Sequence, residues 1–124
     1  MNNPSIKKYK EFWNEKTYND TATIFRLVEN NILENVGVDY VDMEPNNTLK
    51  PHYHELPAVL ILVVEGRGRA YLDGKEYEIE KGDVITIPPH TSHGFSTQKD
   101  HLAFLSIQTP AIYGEDASKD THFV

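Results

Sequence analysis

The sequence predicts an all-β domain, a sandwich or barrel built from seven or eight short strands. Three observations carry that prediction. Runs rich in Val, Ile, Tyr, Phe and Thr recur between turn signals along most of the chain. The turns have their own chemistry: Asp73-Gly74 suits a two-residue type I′ hairpin, whose central residues need positive φ, and Lys81-Gly82-Asp83 and Thr97 to Asp100 are polar tips. Pro88-Pro89 cannot sit inside a central ladder and so ends a strand.

In chain order, residues 5–16 are read as a short N-terminal helix with Ser5 as its N-cap. Strands are expected at Thr23–Val28, Val36–Met43, Val59–Val64, Gly68–Leu72, Lys75–Ile79, Val84–Ile87, Gly94–Thr97 and Leu102–Gln108. The run Ala58 to Val64 does not alternate apolar with polar, which predicts a strand dry on both faces. Its short length, its β-branched Val59, Ile61, Val63 and Val64, and Gly66 just beyond favour a strand over a buried helix. One face should line the interior. The other should be covered by a second sheet, by the N-terminal segment or by another subunit, and a homodimer burying this strand surface is the expectation.

Size and charge narrow the function classes. The chain has 124 residues, one domain's worth, and a domain of this size hides roughly two-thirds of its unfolded surface. It has no cysteine, so disulfides and thiolate metal sites are excluded, and a reducing compartment is suited. A net charge of −7 argues against nucleic acid as a partner, and Lys7, Lys8 and Lys10 read as a solvated segment rather than a binding arm. The longest apolar run is too short to span a bilayer, and the first residues show no apolar stretch of signal-peptide length. A soluble, cytoplasmic protein with no membrane association is expected. There is no nucleotide loop and no Gly-x-Ser-x-Gly elbow, and "GRGRAY" lacks the third glycine and the helix of a dinucleotide fingerprint.

Six histidines remain to be placed: His52, His54, His90, His93, His101 and His122. His101 and His122 read as surface residues. On a strand, positions i and i+2 share a face about 7 Å apart, so His52 and His54 can converge on one ion. His93 follows Pro88-Pro89 as the chain turns back and is the third candidate. His90, on the same loop, is read as a residue behind the ligands or on the rim, not as a ligand.

Here the sequence resembles the cupin superfamily. The pattern is Pro51-His52-x-His54, an apolar strand into Glu65-Gly66-x-Gly68, then Gly82-Asp83-Val84-x-x-Ile87-Pro88-Pro89-x-x-x-His93. The resemblance covers roughly residues 36–108 and implies an antiparallel jelly-roll β-barrel, with His52, His54 and His93 as metal ligands. One departure stands out. The glutamate that the family's first motif usually carries falls at Val59 here, and a shift of one residue gives only Ala58 or Leu60. Glu55 is the one nearby acid, on the wrong side of a regular strand unless the backbone breaks before Pro57.

Three neutral imidazoles leave positions open for water or substrate, the catalytic rather than the structural pattern. They suit zinc, iron, nickel or copper, and not calcium or magnesium. The resemblance therefore implies a metal-dependent enzyme acting on a small polar molecule, a sugar or an organic acid. The alternative is a cupin that binds a small molecule without catalysis. Phe95 and Phe104 are candidates for the pocket wall, with core packing the equal alternative. Arg67 and Arg69 read as solvated strand residues rather than a clamp for a substrate carboxylate.

Overall fold

The computed structural model describes residues 4–17, 21–29, 32–111 and 120–123. The all-β jelly-roll barrel that the sequence leads one to expect is found, with ten strands among the described residues rather than seven or eight: β1 (Asn14–Lys16), β2 (Thr23–Arg26), β3 (Gly37–Met43), β4 (Thr48–Tyr53), β5 (Ala58–Leu72), β6 (Lys75–Glu80), β7 (Val84–Ile87), β8 (His93–Ser96), β9 (Leu102–Thr109) and β10 (His122–Phe123). One sheet runs β1-β2-β3-β9-β5-β7 and the other β10-β4-β8-β5-β6. The long β5 belongs to both. Its first half pairs with β9 and β7, its second half with β8 and β6, and a register shift between Val63 and Glu65 marks the change. Gly66 follows at φ 75, and a side chain there would strike the His101 carbonyl. The glycine is thus what lets β5 cross from one sheet to the other, so the strands expected at Val59–Val64 and Gly68–Leu72 are one strand with a corner in it. At the next hairpin Asp73 and Gly74 take φ 48 and 83, as a type I′ turn requires.

The core fills the space between the sheets. Val41, Met43, Ile61, Val63, Ala70, Ile87, Phe95, Leu102 and Phe104 are each at most 5% exposed. The run Ala58 to Val64 corrects one expectation. Val59, Ile61 and Val63 point inward, but Leu60 is 39% exposed, and Leu62 and Val64 are half-buried. Within one chain the strand has one dry face. Its outward side chains join Val38, Leu105 and Ile107, which the register places beside them on β3 and β9, and the exposed Val84 on β7.

The N-terminal helix is also corrected. Residues 5–16 form one 3-10 turn, Tyr9–Glu11, bounded by extended Lys8 and Phe12, and then β1; Ser5 caps nothing, and the turn's N-cap is Lys8. Aromatic packing on the sheet explains this. Tyr9 stacks on Tyr40 at 4.0 Å and meets Phe25 edge-on at 5.0 Å, so the segment covers the outward side of β2 and β3 as an extended strap. Among the described residues no helix is long and apolar enough to cross a membrane.

Candidate metal centre and its cavity

β4 carries the first histidine, yet its sequence does not announce a strand: Thr48-Leu49-Lys50-Pro51 is polar and contains a proline. The structure admits Pro51 at an irregularity, because the β4–β8 register shifts between Leu49 and His52. Gly94 makes room for it. A Cβ at Gly94 would lie 2.8 Å from the Leu49 carbonyl oxygen and 2.9 Å from the Pro51 nitrogen, backbone atoms that cannot move aside. The close approach puts His52 directly opposite His93, and His54 follows just past the end of β4.

The three imidazoles meet. Ring centroids are 4.4 Å apart for His52 and His93, 5.1 Å for His52 and His54, and 5.3 Å for His54 and His93. One ring nitrogen from each lies within 4.8 Å of the others. His54 and His93 are buried and His52 is half-buried. Each Nδ1 sits on a backbone carbonyl: His52 on Lys50 at 2.8 Å, His54 on Asp120 at 2.9 Å, His93 on Thr91 at 2.9 Å. A carbonyl only accepts, so each Nδ1 must donate and each Nε2 keeps its lone pair. This is the arrangement that orients histidine ligands around a metal. Burial, and then His52 and His54 beside it, push His93 down to about 3. Burial likewise lowers His52 and His54, against the opposing pull of their carbonyl partners. All three are therefore neutral near pH 7, the form that binds a cation. The donor set fits a divalent transition metal.

Val59 stands where the resemblance places a glutamate. It is 5% exposed and lines the cavity, offering no donor. Glu55 is exposed and falls in a different group, with Asp120 and His122. The Asp120 carboxylate accepts from the Glu55 N–H at 2.9 Å and the Leu56 N–H at 3.2 Å, which ties the loop after His54 to the end of the chain. β10 then lies along β4, with Phe123 6.0 Å from the His52 ring and His122 stacked on Tyr53 at 4.9 Å. His122, read as a surface residue, is about one-third exposed and also lies 3.4 Å from the Asp120 carboxylate, in a group separate from the three histidines. Nothing local in the sequence marks a two-residue strand that far from β4.

The remaining assignments divide. His90 is exposed, and its N–H donates to the His54 carbonyl at 2.8 Å, which places it behind a candidate ligand. His101 pairs with Asp42. Arg67 pairs with Glu80 and Asp100, and Arg69 with Glu76, all on the solvated side. Phe95 and Phe104, 2% exposed with centroids 4.6 Å apart, serve core and cavity wall at once.

The histidines open onto a cavity of about 690 Å³ between the two sheets. Most of its wall is apolar, including Leu49, Ile61, Phe95 and Phe104, and the opposite sheet adds Arg26, Asp39, Ser106 and Gln108. Sequence reasoning missed those four, which come from three strands and meet only through the register.

Comparison with known proteins agrees with this architecture. A protein of Aquifex aeolicus with no assigned activity is 30% identical over 67 residues, which is 54% of this chain and 55% of that one. Quercetin 2,3-dioxygenase of Bacillus subtilis is 24% identical over 62 residues, 50% of this chain and 18% of the dioxygenase. The chain thus spans about half or less of these curated relatives. Among solved structures, the polyketide cyclase RemF of Streptomyces resistomycificus superposes with a TM-score of 0.74 at 22% identity, covering 94% of this chain and 91% of that one. The cupin domain model matches residues 39–107, more than half of the sequence, and the chain belongs to the cupin family.

Proposed function

We propose that His52, His54 and His93 hold a divalent transition metal (zinc, iron, nickel or copper) and that the protein is a metal-dependent cupin enzyme acting on a small polar molecule, a sugar or an organic acid, in the adjoining cavity. The carrying observation is the convergence of three imidazoles, one ring nitrogen of each within 4.8 Å of the others, with every Nδ1 on a backbone carbonyl. Such a metal supplies Lewis-acid polarisation of a bound oxygen or a lowered pKa for bound water. The chain's own contribution is to keep the imidazoles neutral and aimed, and to surround the site with apolar walls that exclude bulk water. Val59 leaves the ion its full charge, so three histidines suffice.

The test is elemental analysis of protein purified without added metal and without a histidine tag. About one ion per chain is expected. An empty wild type sinks the enzyme reading and favours the second one, a small-molecule-binding cupin, for which the apolar wall of the cavity speaks. The same reading places the protein in the cytosol and makes it a homodimer. Val38, Leu60, Leu62, Val84, Leu105 and Ile107 form an outward apolar surface that one chain leaves partly exposed, and burial between two copies would cover it. Sedimentation at micromolar concentration should show a species of twice the 14.2 kDa chain mass; a single-chain species overturns the dimer.

A further inference from the structure

The three histidines are not held alike. His52 on β4 lies opposite His93 on β8, and each donates its Nδ1–H to a carbonyl two residues back, that of Lys50 and that of Thr91. Those two rings are oriented by their own neighbours. His54 stands just past the end of β4, and its Nδ1–H goes at 2.9 Å to the carbonyl of Asp120, 66 residues along the chain. His54 is buried. Without that acceptor its ring must leave a donor unpaired or turn to the other tautomer, in which Nε2 carries the proton and cannot bind a cation.

Asp120 is itself fastened at the same place. Its Oδ1 accepts from the Glu55 N–H at 2.9 Å and its Oδ2 from the Leu56 N–H at 3.2 Å. One residue thus grips three consecutive positions: the His54 ring with its carbonyl, and the next two amides with its carboxylate. Hydrogen bonds from a carboxylate to backbone N–H groups are among the stronger ones. Beyond Asp120, β10 adds only the pairs His122 with Tyr53 and Phe123 with His52. A ladder that short opens easily by itself, so the carboxylate grip decides whether the Asp120 carbonyl stays at His54. His122 also lies 3.4 Å from Asp120 and 3.9 Å from Glu55. Those three side chains could gather a cation of their own, and a test has to tell that role from this one.

We infer that Asp120 is a positioning residue of the metal centre: its carboxylate locks residues 120–123 onto the loop after His54, and its carbonyl then fixes the Nδ1–H tautomer of His54 and leaves Nε2 for the ion. The inference rests on the metal reading proposed above and deepens it, since one ligand of the three owes its direction to a residue far from it in sequence.

The test compares the full chain as wild type, Asp120→Ala, Asp120→Asn and Glu55→Ala. Proton–nitrogen correlation spectra of the metal-free proteins at neutral pH identify the tautomer of each imidazole, and competition with a chelating dye gives the zinc affinity. In the wild type all three rings should carry the proton on Nδ1. Asp120→Ala should move His54 alone toward the Nε2–H tautomer, with His52 and His93 unchanged, and should weaken zinc roughly 10–100-fold, as the loss of an outer partner does. A general loss of stability shifts no single tautomer. Asp120→Asn loses the charge but keeps an acceptor, so it should bind zinc more tightly than Asp120→Ala, and Glu55→Ala should match the wild type. Wild-type zinc affinity and an unchanged His54 ring in Asp120→Ala overturn the inference and leave the metal reading standing. Asp120→Asn as weak as Asp120→Ala overturns it as well, because charge and not the grip would then matter. So does an equal loss in Glu55→Ala, which would put the ion among Glu55, Asp120 and His122. If the wild type takes no zinc while the His54 tautomer still follows residue 120, the positioning stands and the metal reading falls.

Discussion

The two walls of the cavity solve the same problem in opposite ways. On β4 and β8 every histidine has its Nδ1 held by a backbone carbonyl, and those carbonyls belong to residues two positions away in two cases out of three. On β2, β3 and β9 the polar side chains hold one another, and two buried oxygens, Asp39 Oδ1 and Gln108 Oε1, are left over among the described residues. A backbone anchor fixes direction and leaves the working atom free. A side-chain network fixes a shape and leaves the free atom wherever its partners run out. The first wall brings three identical ligand groups to one point; the second locks a buried carboxyl, a guanidinium and an amide to one another.

The sharpest way to break this contrast is to remove one imidazole. His93→Ala should empty the site after dialysis, with an affinity loss greater than the roughly 10–100-fold that an outer partner costs. Glu55→Ala should keep the metal, since Glu55 lies in the group with Asp120 and His122. Metal stoichiometry for the wild type and both variants, dialysed together, decides it. If Glu55→Ala loses the ion, the carboxylate is a ligand after all and three histidines do not suffice.

The walls also differ in what the sequence discloses. The histidine wall is readable because its signals are local: a His-x-His after a proline, and a histidine just beyond Pro88-Pro89. Even so, β4 itself escapes notice, because Pro51 is tolerated only through the Gly94 contact, and that lies more than forty residues along the chain. The polar wall has no local signal at all. Arg26, Asp39, Ser106 and Gln108 each look like an ordinary strand residue, and only the registers of β2 with β3 and of β3 with β9 set them side by side. The N-terminal segment misleads for a related reason. Its Tyr9 is spent on Tyr40 and Phe25, partners that periodicity within residues 5–16 cannot reveal.

If the walls are independent, damage to the polar one should leave the metal in place. Arg26 and Asp39 form a well-buried pair, with side chains 12% and 6% exposed. Arg26→Ala leaves Asp39 uncompensated and should cost about 3 kcal/mol or more, read from urea denaturation, while metal content stays at one per chain. A simultaneous loss of metal would show that the two walls are one unit.

Gly94→Ala tests the joint that brings β4 against β8. The added methyl meets the Leu49 and Pro51 backbone at 2.8 and 2.9 Å, so β4 must retreat and take His52 with it. A cost of about 2 kcal/mol in stability is expected, together with weaker metal binding. Stability lost with metal affinity intact would mean that His52 is placed by something other than this contact.

The smallest effect expected, per group, is the response of the metal-free protein to mild acid. The three imidazoles are held below the ordinary value of 6.5, His93 to about 3, chiefly by burial. In the unfolded chain they titrate near that ordinary value. Between the two values the unfolded state binds more protons than the folded one, so stability rises with pH and is lost as pH falls below about 6.5, down to about 3 for His93. His93 alone should cost roughly 0.7 kcal/mol between pH 7 and pH 6, and His52 and His54 add to it in the same direction. Burial raises Asp39 on the polar wall, which acts with the opposite sign, so a variant with His52, His54 and His93 all replaced by Gln should lose this rise of stability with pH. Thermal denaturation of the two proteins across that range measures the difference. A wild type whose melting temperature is flat from pH 7 to pH 5 would mean that the imidazoles are not held neutral by burial, and the contrast between a preset wall and a leftover one would lose its electrostatic half.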